Sequence, residues 1–192
     1  MVFVERAKEA LKNEKGAAVV VWVSIMLLFM STFTALLVET GDLLVRKHIV
    51  QAVADAAALS GSSAVNVVMG FDPESHMPTS EIVVLQTDAY GGGMSQIYAD
   101  QLLAHNMAQM DFAGKGIVLA GVDINGTMRD PVEYSAGDPI SVTGLDGSVV
   151  TYYRDYGMVL NGYMTAPLWG SVFGHQKVKF SIPARAKPLY GG

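Results

Sequence analysis

From Ala17 to Val38 every position is apolar or an uncharged Ser or Thr, a run of about 22 residues without Asp, Glu, Lys or Arg. As a helix it spans roughly 33 Å, enough to cross a bilayer core. A secretory signal peptide has a shorter apolar core and a small-residue cleavage site. Here the run is followed by Glu39, Thr40, Gly41 and Asp42 without an Ala-x-Ala-like site. A buried core helix rarely stays apolar for so long. The pattern predicts a membrane span. Before it, Phe3, Val4, Ala7, Ala10 and Leu11 fall on one helical stripe. That leader reads either as a short amphipathic helix at the interface or as a plain continuation of the span into the cytosol.

Helical periodicity continues past Gly41. Leu44, Ile49, Val53, Ala57 and Ser60 are spaced for one face, with Lys47, Gln51 and Asp55 on others. Five alanines between Ala52 and Ala58 favour helix, and Gly61, Ser62 and Ser63 supply a stop. One helix is predicted from Ala17 to about Leu59, roughly 65 Å long. Its first half is lipid-like; its second half is small and alanine-rich, which permits close helix packing. It serves either as a packing rod, with a β domain on one side and copies of itself on the other, or as a simple stalk.

The rest of the chain alternates differently. Asp72-Pro73 and Met77-Pro78 mark a loop, and Glu81 to Thr87 a strand. Gly91 to Gly93 is a break, followed by a helix from Ser95, its N-cap, to Met110, with Ile97, Tyr98, Leu102 and Met107 as its buried side. Gly116 to Ile124 is β-rich and closed by Asn125-Gly126. A second hairpin joins Ile140–Thr143 to Val149–Tyr153 through Asp146-Gly147, and a late strand from Val178 to Ile182 is stopped by Pro183. The fold class expected is α+β: a long N-terminal hydrophobic helix packed against a small, mainly antiparallel β domain. The expected division is a leader at 1–16, the span and its alanine-rich continuation at 17–61, and an outer domain at 62–192.

Charge sets the orientation. Arg6, Lys8, Lys12 and Lys15 precede the span, which places the N-terminus in the cytoplasm and the main domain outside. The formal charge of −5, with no basic stripe, argues against a nucleic-acid partner. With no cysteine there is neither a disulfide framework nor a thiol nucleophile nor a Cys-ligated metal.

Several segments carry a family resemblance: Glu14-Lys15-Gly16-Ala17 before the run; Val38-Glu39-Thr40-Gly41-Asp42-Leu43-Leu44 after it; and Gln51 to Gly61, above all Ala54-Asp55-Ala56-Ala57-Ala58-Leu59-Ser60-Gly61. Together they resemble the N-terminal segment of TadE/TadG-like proteins of tight-adherence pilus systems, over about residues 14–65. The resemblance implies a membrane-anchored, pilin-like protein of the cell envelope with a variable outer domain. Its implied partners are copies of itself or other pilins, membrane lipid before assembly, and Tad-like secretion machinery. Gly16 stands where type IV-like prepilins are cut and is the candidate processing site. Val21 stands where such prepilins carry Glu, which argues against cleavage there.

Little else carries chemistry. The four histidines lack metal-ligand spacing, and no nucleophile, phosphate or dinucleotide motif occurs. The chain reads as a non-enzyme without cofactor or metal. Glu39, Gly41, Asp42, Arg46, Lys47 and Asp55 are candidates for helix packing or subunit register. Glu39 is either a solvated boundary residue or the partner of a base on a neighbouring subunit; Asp42 and Arg46 can pair along the helix. Asp123, Asn125, Thr127 and Asp130 resemble a calcium loop only loosely and read better as turn chemistry. Asn125-Gly126-Thr127 is a glycosylation sequon. Tyr152, Tyr153, Tyr156, Tyr163, Trp169, Phe173 and Tyr190 make the C-terminal third aromatic-rich, as core or as an interface. The expected function is a structural subunit of a cell-surface filament, assembling through its N-terminal helix. The alternatives are a membrane-retained minor pilin or assembly factor, and a single-span surface adhesion protein.

Overall fold

A computed structural model describes residues 5, 6, 8, 14–124, 127–174 and 176–188, with backbone alone at 14, 15, 123 and 124. The fold is α+β, as the pattern predicts. Helix α1 runs from Glu14 to Ser62 over 49 residues, continuous through Gly41. It ends where Ser63 and Ala64 turn back onto the Ser60 and Gly61 carbonyls. The chain divides into two compact units, and the boundary cuts α1 between Leu43 and Leu44. One unit holds residues 1–43 with Ala166–Gln176; the other holds 44–165 and 177–192.

In the second unit the elements follow as β1 (Val65–Phe71), β2 (Pro78–Leu85), α2 (Met94–Gln109), β3 (Ile117–Leu119), β4 (Asp123–Ile124), β5 (Thr127–Met128), β6 (Val132–Thr143), β7 (Val149–Thr165) and β8 (Lys177–Ala186). β7 is the organising strand. Over its 17 residues it pairs antiparallel with β6, β3 and β8. β6 and β7 form the expected hairpin, longer than its clearest sequence signal. Thr143 faces Val149, Gly147 takes φ 80°, and the Asp146 carboxylate accepts from the Ser148 amide and hydroxyl. β4 and β5 pair on either side of positions 125 and 126, which lie outside the described residues.

Two expectations are corrected here, and one strand is added. Val65–Phe71, which the pattern leaves unassigned, is a strand paired with β2, because β-branched Val65, Val67 and Val68 face Leu85, Val83 and Ile82 across the ladder. β8 does not stop at Pro183. The Pro183 carbonyl accepts a hydrogen bond from Gln51 Nε2 at 3.2 Å, off the β7 ladder. N–H and C=O of one residue in an antiparallel strand point the same way, so the missing proline N–H falls on the side where no ladder bond is needed. In α2, Ser95 is not the cap. Gly93 holds that position, and the buried face is Ser95, Ala99 and Leu103, with Ile97 and Tyr98 exposed. A small-residue face wins because α2 comes close to its neighbours around one large side chain, the fully buried Tyr156.

The core follows from that approach. Leu85, Ala99 and Tyr156 cluster, with Val65 and Tyr134 against them. The buried positions of α1 in this unit are Val50, Val53, Ala54, Ala57, Ala58, Gly61 and Ser62, an i, i+3, i+4 stripe. Leu44, expected on that stripe, is exposed. A Cβ on Gly61 would lie 2.3 Å from the Tyr156 ring and 3.0 Å from the Ser95 carbonyl oxygen. Glycine is required there by space.

Two measurements test this packing. Gly61→Ala gains helix propensity but forces Tyr156 from a close-packed site, so a net loss of about 1–3 kcal/mol is expected by chemical denaturation of the purified chain. Asp138 accepts from Lys187 Nζ at 3.0 Å and Arg154 Nη2 at 3.2 Å, and these bonds hold its carboxyl below the ordinary carboxylate value. A depressed folded-state pKa stabilises above the unfolded value, and that contribution disappears as pH falls through the folded one. Part of the stability lost below about pH 4 should therefore be absent in Asp138→Asn, as read by denaturation at neutral and acid pH.

Candidate functional site

The apolar half of α1 has no cover from the described residues: none of the side chains in its most apolar window is buried. By length and composition this helix can cross a membrane. Three of its hydroxyls are satisfied within the helix. Ser31 and Thr32 donate to the Leu28 carbonyl and Thr34 to that of Met30, at 2.8–2.9 Å. Back-bonding of this kind reduces the cost of placing a hydroxyl in hydrocarbon.

One position after the run ends, the character changes. Glu39 is 8% exposed, although it carries a carboxylate. Its partners come from the other end of the chain. Within Ala166–Gln176 lies a short helix, α3 (Pro167–Phe173), whose N-cap residue is Ala166 and offers no side-chain acceptor. Pro167 at the first turn has no N–H to satisfy. The next two amides, of Leu168 and Trp169, donate to Glu39 Oε1 at 2.9 Å and Oε2 at 2.7 Å. Glu39 thus supplies from α1 the cap that the local sequence lacks. Negative charge at a helix N-terminus is favourable in addition.

Thr40 extends the clamp. Its hydroxyl donates to the Leu36 carbonyl at 2.8 Å and accepts from the Trp169 indole N–H at 3.3 Å. The Trp169 and Phe173 rings lie 4.8 Å apart. The excursion is closed at its base by the Ala166 amide donating to the Gln176 carbonyl at 2.9 Å. It is also tight in its middle, where a Cβ on Gly170 would meet the Gln176 side chain at 2.4 Å and its Cα at 2.9 Å. Gly174, at φ 77°, ends α3 in the left-handed conformation.

The other candidates are dispersed. Gly16 is in α1, half-buried. A Cβ added at Gly41 would meet nothing within 4 Å, so packing within the chain does not require glycine there. Asp42 and Lys47 are exposed. Arg46 is half-buried, and its Nη1 donates to the Thr165 carbonyl at 3.1 Å. Asp55 is exposed and accepts from Gln51 at 2.8 Å. Asn125, His175 and Tyr190 lie outside the described residues. Of the aromatics, Tyr156 is core, Tyr152, Tyr153 and Tyr163 are half-buried, and Phe173 is exposed.

Polar groups elsewhere serve the fold. Tyr134 donates to Asp100, and burial followed by that carboxylate raises the phenol pKa; Tyr156 is raised by burial and by the same charge. Buried Asn161 donates to the Asp130 carbonyl at 2.8 Å and to Glu133 at 2.9 Å. Among the described residues no group of three His, Asp or Glu is placed to hold a metal. The sequence singled out Glu39 but could not find its partners, because Trp169 is 130 residues away. Its only local signal was a short helix beginning Ala-Pro with no capping side chain.

Removing the carboxylate should loosen α3 alone. In Glu39→Ala, two charge-assisted hydrogen bonds of about 1.5–3 kcal/mol each are lost. Amide exchange at Leu168 and Trp169 should accelerate by about tenfold or more, while β7 amides keep their protection; hydrogen exchange read by mass spectrometry checks it. Compared with protein-family models, with curated proteins and with solved structures, the chain finds no match.

Proposed function

We propose that this chain is a structural, pilin-like subunit of a cell-surface filament, of the TadE/TadG-like kind that its N-terminal third resembles. The observation that carries the reading is the uncovered apolar half of α1. Such a surface must be covered either by lipid or by equivalent helices. A subunit of this kind holds α1 in the membrane before assembly, with its N-terminus in the cytoplasm and its outer unit outside. It then exchanges lipid for the α1 helices of other copies. The exchange costs little, since apolar surface stays out of water throughout. No catalytic chemistry is needed.

The second reading is a membrane-retained minor pilin or assembly factor. The exposed apolar side chains of α3 favour it, because a subunit released into a filament would have to cover them again. Shearing intact cells separates the two. Electron microscopy and intact-mass analysis of the sheared fraction should find filaments built mainly of this polypeptide, and the mass reports whether the chain is cut after Gly16. Recovery of the chain only from the membrane would overturn the filament reading in favour of the retained factor.

A further inference from the structure

Helix α3 is short, yet three of its large apolar side chains point outward. Leu168 is 42% exposed, Val172 48% and Phe173 52%. With Trp169 they occupy positions i, i+1, i+4 and i+5, an apolar arc of about 140°. The segment Ala166–Gln176 contains no Asp, Glu, Lys or Arg. An excursion this apolar is costly in water, and a surface loop rarely presents three large apolar side chains beside a half-buried tryptophan without a partner.

Its attachment decides the partner. Glu39 and Thr40, which hold α3 through the Leu168 and Trp169 amides and the indole N–H, directly follow the last residue of the uncharged run. That run is about 33 Å long as a helix, so its end falls at the boundary between hydrocarbon and headgroups. Tryptophan is enriched at this depth because its ring is apolar and its N–H needs an acceptor. Here the acceptor is Thr40. Glu39 is too costly to place in hydrocarbon as a bare charge, and its two amide bonds reduce that cost.

We propose that α3 is a second membrane element, a short interfacial helix that lies in the headgroup region of a lipid bilayer and is fastened to the outer end of the span by Glu39 and Thr40. The proposal rests on reading α1 as a membrane span, which both accounts above share. α3 then marks the depth at which α1 stops, and it keeps the span from sliding along the membrane normal. Loss of the Glu39 clamp would free the interfacial helix from the span without removing its affinity for lipid.

Tryptophan fluorescence of the full chain in phosphatidylcholine–phosphatidylglycerol vesicles tests this, with doxyl quenchers near the headgroup or near the bilayer midplane. The chain has two tryptophans, Trp22 and Trp169. Trp22 is exposed on the apolar face of α1, so Trp22→Phe leaves Trp169 as the reporter with little risk to folding. The expected result is a blue-shifted Trp169 emission, a larger loss with the headgroup-level quencher than with the midplane one, and little loss with aqueous iodide. Quenching by iodide instead would overturn the proposal. Protection from both iodide and lipid quenchers would also overturn it, and would assign the face to a second copy of the chain. The complementary Trp169→Phe variant reports the span through Trp22. If Trp22 is quenched by lipid while Trp169 is not, only the interfacial helix is rejected; if neither is quenched, the membrane reading of α1 fails as well.

Discussion

A helix with more than twenty consecutive uncharged, mostly apolar residues cannot remain in water, and this one finds no cover among the described residues of its own chain. That constraint governs how the rest of the N-terminal unit is built. Three hydroxyls within the run, of Ser31, Thr32 and Thr34, are turned back onto the helix's own carbonyls. Charge first appears at Glu39, and there it is engaged at once by two backbone amides. A buried carboxylate is tolerable only when its lone pairs are used, and the start of α3 offers two donors that nothing local could satisfy. Each end of the contact resolves a deficit in the other: α1 carries a charge at an apolar boundary, and α3 lacks a cap.

The second unit is organised by a different use of space. β7 is long enough to serve three strands, so the sheet grows around one segment rather than along a meander. The helices that pack near it do so through small residues. Gly61 lies against the ring of Tyr156 and the Ser95 carbonyl, Ala99 clusters with Tyr156, and Ala54, Ala57 and Ala58 are buried along α1. Small faces let backbones approach, and a single large side chain then fills the remaining volume. This explains why the bulky apolar residues of α2 do not define its buried side.

Several features were legible from residue pattern alone, each for a local reason. The membrane-competent half of α1 follows from the absence of charge over a bilayer's length, and the continuation of α1 from alanine content and helical period. The β6–β7 hairpin follows from turn residues at Asp146-Gly147 between β-branched runs. These depend on interactions within a few residues of the chain, which a linear reading captures. Where two rules competed locally, the reading went the other way. Pro183 resembled a strand stop but sits where its missing donor is not used, and Ser95 resembled a cap but is drawn into the core.

The sequence by itself determined the α+β class, the presence of a membrane-competent helix and its alanine-rich continuation, because hydrophobic period and helix propensity are properties of neighbouring residues. Only the tertiary structure decided what Glu39 does, which face of α2 is buried, and that residues 166–176 belong with the N-terminal unit rather than with the strands flanking them. Those outcomes depend on which donors and which volumes meet across long stretches of chain. A carboxylate at the end of an apolar run has one appearance in the sequence whether it faces water, a neighbouring subunit or the uncapped start of a helix 130 residues away. The difference lies in hydrogen bonds that exist only after the chain has folded.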